Sequence, residues 1–375
     1  MTLTDDQRML EDSVAPFMAQ EGAITAQLRH WRDVGCKDGF GHELWKQFAE
    51  LGLTGILIPE AQGGAGLGMV EAGVVLEEVG RNLTPSPFLT TAIAAVRAIE
   101  GSAQAERWFP GIVAGETVAA LAIDEGKHHD PAMVAMEAKR SGNGFTLSGA
   151  KQFVVHGASA DVILVAARTA GAAGERDGLT LFAVERDTAG LEIDNVMLAD
   201  SSKAARLTFD QVSVDGDAVI GEVDGGWAPL SRALNAGRVG AASELVGVAA
   251  GAAKLTLDYL RQRQQFGRYI GEYQALQHRA AHLYGEIEIA RAAALKAAQL
   301  LDAGDDRAAL MVSVAKAKAA RVAALSVQEG VQMHGGIGMT DEHDIGLYMK
   351  REAVLGSVFG NATWHANEVA RLSNY

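Results

Sequence analysis

The chain has 375 residues, 48% of them hydrophobic and 21% charged, and its 33 Lys and Arg against 47 Asp and Glu give a formal net charge of −14. That length buries a large core and suits about two or three domains. The acidic balance, with no basic stripe, excludes a nucleic-acid binder and docking to anionic lipid, and no run of 18 apolar residues offers a membrane span. Cys36 is the single cysteine, so neither a disulfide framework nor a thiolate metal site is expected. The opening MTLTDDQRML is acidic and unlike a signal peptide, which makes a reducing cytoplasm the expected compartment.

The first stretch, TDDQRMLEDSVAPFM, pairs Thr4 with Gln7 three residues on, the signature of a capping box before an amphipathic helix. GHELWKQFAELG places Leu44, Phe48 and Leu51 at helical spacing, with Gly52 as its C-terminal stop. PEAQGGAGLG reads as a loop and MVEAGVVLEEVGRNL as helix. Pro85 and Pro87 interrupt the pattern before two more helices, which run to about residue 116.

The texture changes between residues 117 and 222. TVAALAID, AMEAKR, FTLSGAKQFVVHG, DVILVAAR, LTLFAVER and ARLTFDQVSV are short, β-branched and partly alternating. Ser141-Gly142-Asn143-Gly144 is the strongest hairpin signal among them. Their spacing predicts an antiparallel barrel or sandwich. From Trp227 onward Ala-rich helical periodicity takes over, with Gly304 dividing two of the longest segments. Helices, then uninterrupted strands, then helices predict an α+β chain of three domains in series: 1–116 helical, 117–222 β, and 223–375 helical.

Much chemistry is excluded. GGAGLG and GGIGMT do not complete GxGxxG between a strand and a helix, and there is no GxxxxGK[ST], GxSxG or HExxH. His128 and His129 are adjacent, a spacing that seldom converges on one metal, and they read as surface-loop residues; no metal site is expected.

Three stretches are jointly informative. RQRQQFGRYIGEYQALQHRAAHLYGEIEIAR carries R-x-x-F-G, then a Gln opening a long helix that ends in E-x-A-R. QMHGGIGMTDEHDIGLYMKR carries Q-x-x-G-G-x-G, an acidic helix start and Tyr-x-x-Arg. SGAKQFVVHGASADVILVAAR lies in the middle of the β-region. In order and separation these resemble the acyl-CoA dehydrogenase family over nearly the whole chain.

The resemblance implies an N-terminal helical domain, a middle antiparallel β-barrel and a C-terminal four-helix bundle, with FAD bound between the last two in a dimer of dimers. It also implies that Arg263 and Phe266 reach a neighbouring subunit's FAD, the guanidinium fork meeting the pyrophosphate. Gln332, Gly335 and Gly336 match the turn that lets backbone approach the adenosine side. Phe153 matches an aromatic against the isoalloxazine. Val155 stands where most members carry a Thr hydroxyl bonded to the flavin, so only backbone groups remain to serve there.

The reaction implied is α,β-dehydrogenation of an acyl-CoA thioester, the α-proton passing to a carboxylate and the β-hydrogen leaving as hydride to flavin N5. In most members the base is a Glu in a Y-E-G-T turn; here that turn reads SVFGNATWH and the position is Gly360. Some members carry the base on the first C-terminal helix, which aligns with Gly237. Glu244 lies seven residues beyond Gly237 on the same helical face. In GRVGAASELVGVAAG its helical neighbours are Gly240, Ala241, Gly247 and Val248, and no Lys or Arg of its own helix can pair with it.

This A-x-E-L-x-G stretch, 19 residues ahead of Arg263, resembles the β-type or small subunits of bacterial acyl-CoA dehydrogenases acting on steroid side-chain or dicarboxylyl-CoA esters. There the acid is the expected base, and the small residues around Glu244 would leave room for substrate. The competing expectation is a structural acid paired across helices with a residue such as Arg238. The partners implied are an acyl-CoA substrate, an electron-transferring flavoprotein, and either a homotetramer or a heterotetramer of two α-type and two β-type chains. A non-catalytic or co-catalytic subunit, and a flavin oxidase or monooxygenase on the same scaffold, are the rival readings.

Overall fold

The computed structural model describes residues 3–375; Met1 and Thr2, within the expected N-terminal domain, lie outside the described residues. The helices of the first stretch are α1 (Asp5–Gln20), α2 (His30–Asp33), α3 (His42–Glu50), α4 (Met69–Arg81), α5 (Val96–Ile99) and α6 (Gln104–Val113). Eight strands follow: β1 (Ala119–Ala122), β2 (Glu137–Ser141), β3 (Gly144–Val155), β4 (Val162–Arg168), β5 (Leu179–Glu185), β6 (Leu191–Met197), β7 (Lys203–Val214) and β8 (Val219–Ile220). The remainder is α7 (Trp227–Gln262), a small ribbon of β9 (Gln264–Gln265) and β10 (Arg268–Tyr269), then α8 (Gln274–Asp302), α9 (Ala308–His334), α10 (Ile345–Leu355) and α11 (Ala362–Leu372).

Local chemistry explains the boundaries. The capping box forms: Gln7 N–H donates to Thr4 Oγ1 at 3.3 Å and Thr4 N–H to Gln7 Oε1 at 3.0 Å. Gly52, at φ +73°, stands two residues past α3. Beyond Pro85 and Pro87 the chain winds as a π-helix, Phe88–Ala95, before α5. Gly304, at φ +61°, separates α8 from α9.

The chain divides into two compact units. The first comprises Met1–His30, Met69–Pro85 and Arg238–Tyr375. In it α4 packs on α1 and α8, while α9 packs on α8, α10 and α11. The Asp302 carboxylate, at the end of α8, accepts from the N–H groups of Met69 (2.7 Å) and Val70 (3.1 Å), so one helix caps the next with a side chain distant in sequence.

The second unit comprises Trp31–Gly68 and Ser86–Gly237. Its sheet has the order β6-β7-β3-β2-β4-β5-β8, with β1 joined to β4. The Ser141–Gly144 hairpin pairs β2 with β3, Gly142 taking φ +57°. The sheet is mostly antiparallel, yet β1 runs parallel to β4 in the register Ala119↔Val162. That strand enters from the helices rather than from a hairpin, so it adds to β4 in the opposite sense to a meander. β4 is buried along its whole length, which is why VILVAAR lacks alternation. β6, largely polar and half-exposed at the sheet's edge, gave no hydrophobic pattern and was not expected. β3 and β7 shift register between Lys151 and Val154, a bulge that holds Phe153.

Candidate active site

The groove around Glu244 is filled. α4 lies against this face of α7 so closely that a Cβ added at Gly247 would stand 1.9 Å from the Glu77 carbonyl oxygen. One added at Gly80 would stand 2.0 Å from the Glu244 carbonyl oxygen, and one at Gly251 2.6 Å from that of Arg81. The glycines are therefore a helix–helix contact in which two backbones meet, and the expectation that they leave room for substrate is corrected: α4 occupies that room.

Glu244, 2% exposed, is also not bare. Arg351 of α10 donates to its Oε1 through Nε at 3.1 Å and through a second guanidinium nitrogen. The partner anticipated from sequence, Arg238, is engaged elsewhere, donating from Nε to the Phe359 carbonyl at 3.2 Å and lying 4.5 Å over the Trp364 ring. Arg351 belongs to the Tyr-x-x-Arg motif, so its type was legible and its partner was not. Proton uptake at Oε1 would require Arg351 to let it go.

Gly237 and Gly360, which the resemblance aligns with the family's base positions, carry no side chain. Gly360 sits at φ +104° in the turn between α10 and α11, where an L-residue is strained, and Phe359 before it adopts φ +57°. Lys316, fully buried on α9, donates from Nζ to the carbonyls of Gly356 (3.0 Å), Gly360 (3.1 Å) and Leu355 (3.4 Å). Burial and then the Arg238 charge push this lysine down to about 7, against an opposing pull from Glu352. Burial raises Glu352, with Lys316 opposing. Sequence reasoning missed Lys316, which reads as one more polar position on an Ala-rich helix.

The expected cofactor residues divide between the units. In the first, Arg263 follows α7 and is exposed, and Phe266, at φ +55° in the ribbon tip, is 92% exposed. An aromatic this exposed and strained contributes nothing to the core of its own chain. Gln332 is exposed near the end of α9, and Gly335 (φ +65°) and Gly336 follow with nothing within 4 Å of an added Cβ. Backbone can approach a ligand closely there. In the second unit the bulge turns Phe153 outward, 37% exposed at φ +53°, while Val155 keeps its ladder place opposite Ala204.

These features suit FAD. An exposed guanidinium meets a diphosphate, an unobstructed glycine turn admits the adenosine half, and presented aromatics meet a planar ring. Among the described residues no group of three or more His, Cys, Asp or Glu is arranged to hold a metal ion. His128 is exposed, whereas the His129 side chain is largely buried against Asp124, 2.9 Å from its carboxylate; both remain in a loop.

Comparison with known proteins agrees. Three family models match in series: the acyl-CoA dehydrogenase N-terminal domain over residues 4–116, the middle domain over 120–212 and the C-terminal domain over 224–373. Cyclohex-1-ene-1-carbonyl-CoA dehydrogenase of Syntrophus aciditrophicus (strain SB) is 30% identical, over 99% of this chain and 89% of its own length. A Tcur3481-Tcur3483 steroid ACAD variant superposes with TM-score 0.89 at 30% identity, covering 100% of this chain and 99% of the other. The ChsE4-ChsE5 complex from Mycobacterium tuberculosis shares the fold, with TM-score 0.89 at 24% identity, over 100% and 99%. No described helix is long and apolar enough to cross a membrane. The chain belongs to the acyl-CoA dehydrogenase family, flavoprotein oxidoreductases that use FAD to dehydrogenate acyl-CoA thioesters.

Proposed function

We propose that this chain is one subunit of a heteromeric acyl-CoA dehydrogenase catalysing α,β-dehydrogenation of an acyl-CoA thioester. FAD supplies the hydride acceptor for the β-hydrogen, and the electrons pass on to an electron-transferring flavoprotein. This chain's share is binding and shaping. Arg263, Phe266, Gln332, Gly335 and Gly336 of the first unit each offer a cofactor contact, and so, in the second unit, do Phe153 and the backbone at Val155. The carboxylate that takes the α-proton comes from a second acyl-CoA dehydrogenase chain.

One observation carries this reading. Gly237 and Gly360 have no side chain, and Glu244 is enclosed by α4 and bound by Arg351. The two-component names of the Tcur3481-Tcur3483 and ChsE4-ChsE5 neighbours are consistent with it.

A second reading keeps Glu244 as the base. Arg351, on a long side chain 23% exposed, would release it when substrate binds. The two separate cleanly. The chain is purified alone and co-purified with a second acyl-CoA dehydrogenase chain, and anaerobic flavin bleaching is followed across a panel of acyl-CoAs. Bleaching only in the complex, retained by Glu244→Gln, is the expected result. A loss of several orders of magnitude in Glu244→Gln with FAD retained would move the base to Glu244 and overturn the assignment of the base to a second chain.

A further inference from the structure

The turn joining α10 to α11 is held by more buried donors than a helix connection requires. The Lys316 ammonium has three N–H bonds, and three carbonyls face it: Leu355, Gly356 and Gly360. A fourth carbonyl, that of Phe359, accepts from Arg238 Nε and lies 3.1 Å from His365 Nε2. Water or a C-terminal glycine cap satisfies the end of an exposed helix at little cost. Here a fully buried lysine does so, and burying an ammonium is expensive.

What those donors maintain is strained. Phe359 at φ +57° is strained and persists only where its surroundings over-determine it. Gly360 at φ +104° keeps the next position free of any side chain. The chain thus commits two buried cations, Lys316 and Arg238, to one six-residue turn and one backbone shape.

We propose that Lys316 is a positioning residue of the acyl-CoA site: through the carbonyls of Leu355, Gly356 and Gly360 it fixes the turn over residues 356–361 in the shape that borders bound substrate. This assignment rests on the acyl-CoA dehydrogenase reading above. Lys316 itself touches no substrate and acts through the turn.

The arrangement has a pH signature. A neutral amine offers two N–H bonds to three carbonyls, so deprotonation frees one of them. The charged groups acting on Lys316 are Arg238 on α7 and Glu352 on α10, while His365 on α11 meets the same turn at the Phe359 carbonyl. With Lys316 pushed down to about 7, the release falls in the neutral to mildly alkaline range.

The test uses the flavin-loaded protein, in its complex if a second chain is needed for loading, and a non-reacting enoyl-CoA as probe. Binding is read from the change in flavin absorbance, with FAD content measured separately. Lys316→Met is expected to weaken enoyl-CoA binding at least tenfold with FAD content unchanged. Wild-type affinity should fall as pH rises from about 7 to 9, while the variant's profile is flat. Equal affinity in wild type and variant overturns the assignment alone. Absence of any spectral change with acyl-CoAs in the wild type overturns the acyl-CoA reading as well. If Lys316→Met does not fold, the wild-type profile decides, and a pH-independent affinity overturns the proposal.

Discussion

Arg351 reaches Glu244 across 107 positions of sequence, joining α10 to the middle of α7 through Nε at 3.1 Å and a second nitrogen. The carboxylate is 2% exposed and the guanidinium 23%, so the pair sits at the edge of the core and not on the surface. Removing either partner leaves a desolvated charge behind. Arg351→Met should cost on the order of 3 kcal/mol, and Glu244→Gln, which keeps an acceptor oxygen, about half that. Chemical denaturation of the two variants and of the double mutant gives the coupling; additive losses would refute the pairing.

The α4–α7 contact makes a stronger demand. A methyl at Gly247 would lie 1.9 Å from the Glu77 oxygen, and one at Gly80 2.0 Å from the Glu244 oxygen, so either alanine must push two backbones apart. Each substitution should cost about 2–3 kcal/mol despite the better helix propensity of alanine. A thermal melt in which Gly247→Ala is neutral or stabilising would show that the helices are not in this contact.

Phe266 and Arg263 are exposed, so their removal should leave folding within about 0.5 kcal/mol of wild type. Their effect belongs to the cofactor. Phe266→Ala and Arg263→Ala should each raise the FAD dissociation constant at least tenfold, measured by flavin fluorescence on dilution. Unchanged retention would remove both residues from the cofactor site.

His334 and His343, with ring centroids 4.2 Å apart and Tyr259 4.5 Å from His334, form a cluster next to the Gly335–Gly336 turn. His334 Nδ1 faces the Gly330 carbonyl at 2.7 Å, and burial lowers the pKa of both histidines. A histidine lowered in the fold binds fewer protons there than in the unfolded chain. Stability is therefore present above the unfolded value of about 6.5 and is lost as pH falls below it. Melting temperature should decline between about pH 7 and 5, and His334→Gln should flatten that decline. An unaltered slope in the variant would place the acid sensitivity elsewhere.

Much of this was legible in the sequence. Helical and strand texture, the Thr4–Gln7 cap, the Ser141–Gly144 hairpin and the Gly304 break are local patterns, each set by a few adjacent residues. The family was carried by three motifs in order. β6 escaped because an exposed polar edge strand has no hydrophobic alternation. Lys316 escaped because nothing local distinguishes it from Lys318 two residues on in the same Ala-rich helix.

Glu244 marks where local reasoning stops. The sequence by itself determined that this acid sits in a helix stripped of side chains, with no cation of its own helix able to pair with it. The tertiary structure decided what fills the gap and what meets the charge: the backbone of α4 and the guanidinium of Arg351. Small residues permit close approach by substrate or by another helix equally well. Only the packing of elements far apart in sequence selects between them.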